Sequence, residues 1–97
     1  MTRRVELRPA ARKDLDRLVA FMASLDERSA DRREQWLRKS LQALGRHPYK
    51  GRPYKRRESL REFTLKHGKS SYLVRYEVTD DLVSITRIWH GKEDRPR

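Results

Sequence analysis

The apolar residues of this chain change their spacing once, and that change restricts the fold more than any other feature. In the first half they recur every three or four residues, the spacing of one face of a helix. Two such stripes are present: Ala11, Leu15, Leu18, Met22 and Leu25, then Ala30, Leu37, Leu41 and Leu44. From Leu60 onward apolar residues alternate with polar ones, as in half-buried strands. The sequence therefore predicts helices first and strands afterwards, an α+β arrangement.

The ends of the two helices carry recognisable signals. Pro9 suits a first helical turn. The segment "DERS" forms a short connection, and Ser29 is predicted to cap the second helix. Gly45 stands where a left-handed residue is wanted after a helix, and Pro48 bars continuation. So short a connection predicts an antiparallel helical hairpin.

Strand patterns lie on both sides of the helical hairpin. "RRVELR", residues 3–8, alternates at its start, whereas "RHPYKGRPYKRRES" has two prolines and a glycine and is predicted to be irregular. The runs "LREFTLK", "YLVRYEV" and "LVSITRIWH" follow, joined by the short connectors "HGKSS" and "TDD". The predicted order is β-α-α-β-β-β, with the helical hairpin packed on a small antiparallel sheet in one domain, residues 1–97.

If the helices cover one face of the sheet, other side chains must occupy the opposite face. Leu73, Arg75, Arg87 and Trp89 are assigned there by strand alternation. The sequence predicts an open, basic, partly aromatic face suited to docking. Glu62 is expected to be a cross-strand partner of an arginine on the sheet.

Positive charge is concentrated in one segment. The 97 residues carry a net charge of +11, with 40% charged and 35% apolar residues, which predicts a lean core. Residues 46–69 hold nine Lys and Arg against two acids, a net of 9 − 2 = +7. Such a cluster is typical of polyanion contact, because phosphate binding releases counterions. A solvated loop or an acidic protein partner remains an alternative.

Composition also excludes several classes of protein. The absence of cysteine excludes disulfides and cysteine-bound zinc. Apolar runs stay short of the ~20 residues that cross a bilayer, and "MTRRVEL" lacks the apolar region of a signal peptide. We therefore expect a cytoplasmic protein without membrane contact. His47, His67 and His90 have no ligand-like spacing, so no metal and no cofactor are predicted.

Five segments, taken in order, resemble the RelE/ParE superfamily, the toxins of bacterial type II toxin–antitoxin modules. They are "LRPAARKDLDRL", Pro48 with "GRP", "LREF", "YLVRYEV" and "RIWHGKED", and they span nearly the whole chain. The resemblance implies a RelE/ParE-like fold and a toxin that arrests growth. It also implies a cognate acidic antitoxin as partner, with operator DNA bound only through that antitoxin.

RelE-like members of the superfamily cut mRNA on the ribosome without a metal. Carried over residue by residue, the resemblance implies that a ribonuclease site here would use Arg61, Arg75, Arg87 and His90, as phosphate-stabilising groups and an acid or base. Two positions depart from that branch. Leu73 stands where arginine is common, and Arg95 stands where many members have a tyrosine.

ParE-like members inhibit DNA gyrase and need no catalytic constellation. The ending with His90, Gly91 and Asp94 resembles this branch. We therefore favour gyrase inhibition and keep a ribosome-dependent mRNA endoribonuclease as the alternative. A third alternative is a non-toxic basic nucleic-acid-binding module. Whether the chain is an enzyme stays open at this stage.

Two further groups of residues are assigned to partners. The target or phosphate-binding residues are predicted to be Lys50, Arg52, Lys55, Arg56, Arg57 and Lys66. The antitoxin-binding residues on the helical hairpin are predicted to be Arg12, Arg17, Trp36 and Lys39, with Trp36 alternatively a core residue. Tyr49 and Tyr54 beside the basic segment either stack on bases or pack that segment onto the body.

Overall fold

In the computed structural model, which describes residues 2–93, two helices pack on one face of a mixed five-stranded sheet. The elements are β1 (Arg4–Leu7), α1 (Pro9–Leu25), α2 (Glu27–Ala43), β2 (Arg52–Tyr54), β3 (Arg57–His67), β4 (Ser70–Val78) and β5 (Leu82–His90). The predicted α+β class and the predicted order of elements are confirmed. The one addition is β2.

The strands lie in the order β1-β5-β4-β3-β2. The meander from β3 to β5 is antiparallel, as predicted. β1 instead pairs with β5 in parallel, with Val5 opposite Val83 and Leu7 opposite Ile85. The prediction of a wholly antiparallel sheet is therefore wrong. Alternation reveals a strand but not its neighbour or direction, and no short turn joins β1 to β5.

The predicted cap at Ser29 and the predicted left-handed conformation of Gly45 are both wrong, whereas α2 does end before Pro48. Asp26 caps α2, and its carboxylate accepts hydrogen bonds from the backbone N–H of Arg28 and the hydroxyl of Ser29, each at 3.0 Å. Ser29 lies inside the helix because the equally good cap Asp26 precedes it. Gly45 is not left-handed. A Cβ there would lie 2.3 Å from the carbonyl oxygen of Arg3, so close packing against the start of β1 requires the glycine.

The segment predicted to be irregular contains a β-hairpin. Pro53 of β2 pairs with Arg61 of β3, and Tyr54 pairs with Arg57. Lys55 and Arg56 form the turn between them, with φ angles of 53° and 58°. Positive φ at both central positions is the type I′ geometry, usually signalled by Asn-Gly. Lys-Arg gives no such signal, which is why the sequence pattern missed the hairpin.

The core lies between the helices and one face of β4 and β5. Its fully buried residues include Leu18, Leu37, Val74, Ile85 and Ile88. An irregularity between Arg75 and Tyr76 shifts the register of β4 against β5. Arg87 is thereby placed opposite Arg75.

Candidate functional site

The sheet separates the four candidate catalytic residues into two pairs. Arg75 lies opposite Arg87, and strand alternation places both on the face away from the helices, although the guanidinium of Arg87 reaches past the strand edge to Asp14 of α1. Arg61 lies opposite Tyr76, and His90 lies opposite Tyr72, and both tyrosines belong to the core under the helices. Successive residues of a strand point to opposite faces. The structure therefore does not bring the four residues together as one constellation.

Arg75 is buried and contacts one carboxylate and two aromatic rings. Its Nε donates to Glu62 Oε2 at 2.6 Å, and the side chains of both residues are almost completely covered. The guanidinium stacks between the rings of Tyr54 and Trp89, at 4.0 Å and 4.9 Å from their centroids. The expected cross-strand role of Glu62 is confirmed. Tyr54 packs the basic hairpin onto the body, so Arg75 is already neutralised and covered on both sides.

The face opposite the helices is less open than the sequence predicts. Leu73, Arg75 and Trp89 are buried there, at 7%, 8% and 3% exposure. Arg87 is the partly exposed member of the group, and its guanidinium stacks on Trp89 at 4.8 Å. The prediction of an open aromatic docking face is wrong, because arginine–aromatic stacking covers the rings.

The sequence analysis missed the residue that engages Arg87. Asp14 of α1 is 2% exposed, and its carboxylate accepts from Arg87 Nε and Arg17 at 2.7 Å and from the backbone N–H of Ile88 at 2.8 Å. Ile88 lies beyond the last residue of β5 that pairs with β1. Asp14 falls within the apolar stripe of α1, three residues after Ala11, and an acid at such a position indicates a buried ion pair.

The pKa of Asp14 follows from these contacts. Burial disfavours the charged carboxylate, but the hydrogen bonds from Arg87, Arg17 and Ile88 outweigh that effect and lower the pKa below its ordinary value. The same pairing raises the pKa of Arg87. The pair is therefore ionised at neutral pH and joins α1 to the end of β5. Arg87 thus acts as a structural tie.

Arg17 extends this cluster to the residues after β5. Its guanidinium donates to Glu93 at 3.0 Å and to the carbonyl oxygen of Ile88 at 3.2 Å. Glu93 also accepts from the backbone N–H of His90 at 2.8 Å, and Arg17 and this N–H outweigh burial in lowering its pKa. Arg17, predicted to bind the antitoxin, is occupied within the chain. Glu93 was not singled out by the sequence analysis.

The turn after β5 explains part of the "RIWHGKED" pattern. A Cβ on Gly91 would lie 2.1 Å from the hydroxyl of Ser71, and the backbone N–H of Gly91 donates to the carbonyl oxygen of Ser71 at 2.7 Å. The nearest backbone atom, the carbonyl oxygen of Ser71, would lie 3.3 Å from that Cβ, so a larger residue here would require the Ser71 side chain to turn away. Asp94 and Arg95, which were used above to compare the chain with the ParE-like and RelE-like branches, lie outside the described residues.

His90 is half-buried at the rim of a groove of about 360 Å³ between α1 and the end of β5. Its imidazole ring makes T-shaped contacts with the rings of Phe21 and Tyr72. Its Nδ1 accepts a hydrogen bond from the backbone N–H of Lys92 at 3.2 Å. Arg17 and Lys92 also line the groove, but Arg61, Arg75 and Arg87 do not. His90 therefore has cations nearby, though not those predicted to stabilise phosphate.

Arg61 anchors the base of the basic hairpin. It is buried, donates to the carbonyl oxygen of Gly51 at 3.0 Å and pairs with Glu58. The hydroxyl of Tyr76 accepts from the backbone N–H of Gly51 at 2.9 Å. A Cβ on Gly51 would lie 2.5 Å from the carbonyl oxygen of Glu62. Gly51 is thus held from two sides, and Arg61 is a fixing residue for the hairpin.

The predicted phosphate-binding residues are exposed but do not form one patch. Arg52, Lys55, Arg56 and Arg57 lie together on the β2–β3 hairpin. Lys66 lies nine residues along β3 from Arg57, about 30 Å away in an extended strand. Lys50 lies at the base of the hairpin, and its Nζ is 4.9 Å from the centroid of the Phe63 ring. The hairpin is therefore the concentrated part of the basic segment.

The predicted antitoxin-binding residues also divide. Arg12 and Lys39 are exposed on the two helices. Trp36 is half-buried against the core and contacts the rings of His67 and Tyr72, at 4.7 Å and 5.7 Å between centroids. The core alternative for Trp36 thus has support.

In residues 2–93 the His, Asp and Glu residues form no group of three or more that could hold a metal ion. The helices there include none long and apolar enough to cross a membrane.

Comparison with known proteins adds two kinds of similarity. Residues 5–95 match the family model described as the ParE toxin of the type II toxin–antitoxin system, parDE. Two relatives come from Caulobacter vibrioides. Toxin RelE1 is 35% identical over 95 residues, covering 98% of this chain and 100% of the relative. Toxin RelE3 is 33% identical over 91 residues, covering 94% and 97%.

A solved structure shares the fold. It is described as the chromosomal ParDE TA system from P. aeruginosa, with a TM-score of 0.69 at 20% identity. The match covers 90% of this chain and 94% of the other. The two helices on a five-stranded sheet are therefore an arrangement with a known precedent.

Proposed function

Since the chain belongs to the ParE toxin family of type II toxin–antitoxin systems, within the RelE/ParE superfamily, we propose that it arrests growth by inhibiting DNA gyrase. One observation carries the proposal. The sheet divides the four candidate catalytic residues between its faces, and Arg61, Arg75 and Arg87 are committed to carboxylates of the chain itself. An inhibitor that acts by binding needs no catalytic constellation.

The partner implied by this family is a cognate antitoxin. The structurally similar chain comes from a ParDE toxin–antitoxin system, and the net charge of +11 would be offset by an acidic protein. The toxin expressed alone should therefore arrest bacterial growth. Co-expression of the acidic antitoxin should relieve the arrest.

A ribosome-dependent mRNA endoribonuclease is the second candidate. Two curated relatives are named as RelE toxins, and His90 faces a groove that Arg17 and Lys92 also line. An imidazole beside Lys92 is a chemically reasonable acid or base for ribose-phosphate cleavage. Arg17 in this groove is already paired with Asp14 and Glu93. Family membership gives no support to the third alternative, a non-toxic module.

Brief induction of the chain in bacteria distinguishes the two targets. Gyrase inhibition should produce a DNA-damage response with intact mRNA 5′ ends, and the purified chain should reduce supercoiling by gyrase. Codon-aligned mRNA cleavage without a DNA-damage response would refute gyrase inhibition.

One substitution sharpens that comparison. His90→Ala should leave gyrase inhibition nearly unchanged, whereas loss of an acid–base group would slow a ribonuclease by about 10²–10⁴. Arg87→Ala is a poor probe, because it would leave the carboxylate of Asp14 short of a partner and destabilise the fold. Circular dichroism of the His90 variant provides the folding control.

A further inference from the structure

The turn of the β2–β3 hairpin lies at the edge of the sheet. β3 pairs with β4 from Leu60 onward, so its first three residues, 57–59, have no partner on β4. On the other side of β3, Tyr54 pairs with Arg57 and Pro53 with Arg61, so residues 58–60 form a bulge without a partner on β2. β2 is the last strand of the sheet. The tip, residues 55–57, is exposed and therefore available to a large ligand.

The tip carries positive charge that the described chain does not neutralise. Lys55, Arg56 and Arg57 are exposed, and within residues 2–93 none of their side chains forms an ion pair. The nearby acids are engaged elsewhere. Glu58 pairs with Arg61, and Glu62 pairs with Arg75.

The turn holds its cations in an unfavourable backbone conformation. Lys55 and Arg56 both have positive φ, which residues with a Cβ seldom adopt. Asn-Gly would fit the same turn with less strain. Strained residues of this kind cluster at functional sites, where surrounding structure holds them in place. Here Tyr54 stacked on Arg75 and Gly51 held by Tyr76 fix the hairpin to the body of the sheet.

We infer that this tip binds the phosphate backbone of duplex DNA. Clustered cations that form no internal ion pair gain most from displacing counterions at phosphates. The choice of DNA rests on the proposed function, because gyrase would bring the chain to a DNA duplex. The phosphate chemistry itself is shared with RNA.

The test measures binding of a short, random-sequence DNA duplex by fluorescence anisotropy over a salt series, with neither gyrase nor antitoxin present. The triple variant K55Q/R56Q/R57Q removes the tip charge. The matched control K13Q/R28Q/R32Q removes three exposed helical charges that form no ion pair within residues 2–93. Circular dichroism confirms that both variants fold.

The expected result is a change in salt dependence. Each lost phosphate contact lowers the slope of log Kd against log salt by about 0.9, so the tip variant should lose about 2.7. The control variant should keep the slope of the parent chain. An unchanged slope in the tip variant, or an equal loss in the control, would overturn the inference.

A second variant separates charge from backbone shape. K55N/R56G supplies the residue pair that this turn geometry prefers and should raise the melting temperature. Its slope of log Kd against log salt should nevertheless fall by about 1.8, because two phosphate contacts are removed. If it binds like the parent chain, the cations are not the contact.

Two outcomes keep this inference distinct from the proposed function. Tighter binding of single-stranded RNA than of duplex DNA of equal length would overturn the assignment to DNA. Absence of duplex binding alongside intact inhibition of gyrase would refute this inference and leave the proposed function standing. Duplex binding without any effect on gyrase would refute the proposed function and leave this inference standing.

Discussion

Replacing Asp14 by asparagine tests whether the ion cluster joins α1 to β5. The carboxylate accepts hydrogen bonds from two guanidinium groups and from the backbone N–H of Ile88. Asparagine keeps the size of the side chain but loses its charge and turns an NH₂ group towards cations. The change therefore leaves two arginines without their shared partner.

The size of the effect follows from burial. Removing one member of a buried pair costs about 3–5 kcal/mol. The side chains of Arg87 and Arg17 are 38% and 42% exposed, so water can re-solvate them in part. We therefore expect the lower end, about 3 kcal/mol, out of a total stability of about 5–15 kcal/mol. For a domain of this size the melting temperature should fall by about 12–24 °C.

Urea unfolding followed by circular dichroism measures this difference, and pH gives a second check. The folded-state pKa of Asp14 is lowered, so its contribution is present above the ordinary value of 3.8 and is lost as pH falls through the lower folded value. The stability gap between the parent chain and Asp14→Asn should therefore close below pH 3.8. At neutral pH the gap should be fully open.

Glu34→Gln is the matched control. Glu34 pairs with Arg38 at 2.8 Å on the surface of α2, in a pair worth about 0.3–0.5 kcal/mol. A loss for Asp14→Asn no larger than this control would refute the argument. So would a gap that persists unchanged in acid, because the cause would then not be the charge.

Two further predictions concern the packing of Gly51 and the exposed charges of the helices. Gly51→Ala should destabilise the fold by about 1–3 kcal/mol, because the added Cβ would lie 2.5 Å from a backbone carbonyl oxygen; unfolding at the level of the parent chain would contradict that packing. Arg12→Glu and Lys39→Glu should weaken antitoxin binding by at least about tenfold together, if each lost contact contributes about 0.7 kcal/mol. Calorimetric titration measures this. An unchanged affinity, with unchanged circular dichroism, would exclude the exposed helical face as the docking site.

The sequence predicts the elements of this fold better than their arrangement. Periodicity identifies the two helices and the meander, because the residues of each buried face recur at a regular spacing along the chain. The parallel pairing of β1 with β5 depends on residues 78 positions apart, such as Val5 and Val83, and no local pattern reports it. The Lys55–Arg56 turn was not predicted for another reason, because residues of these types seldom adopt positive φ.

The candidate site is predicted less well than the fold. Residue type marks Arg61, Arg75 and Arg87 as candidates for phosphate chemistry, but the partner of each arginine decides its role. Glu62 was expected beside an arginine because cross-strand pairing is local. Asp14 lies 73 residues from Arg87 and could be suspected only from an acid within an apolar stripe.

The contacts at Ile88 have a consequence for aggregation. Its N–H donates to Asp14 at 2.8 Å and its carbonyl oxygen accepts from Arg17 at 3.2 Å. Side chains of α1 therefore satisfy both backbone groups where β5 extends beyond its pairing with β1. An uncovered strand edge is a template for intermolecular pairing. At the other end of the sheet β2 is three residues long and contains Pro53, which cannot donate to an added strand. The sheet is thereby protected at these two places from polymerising edge to edge.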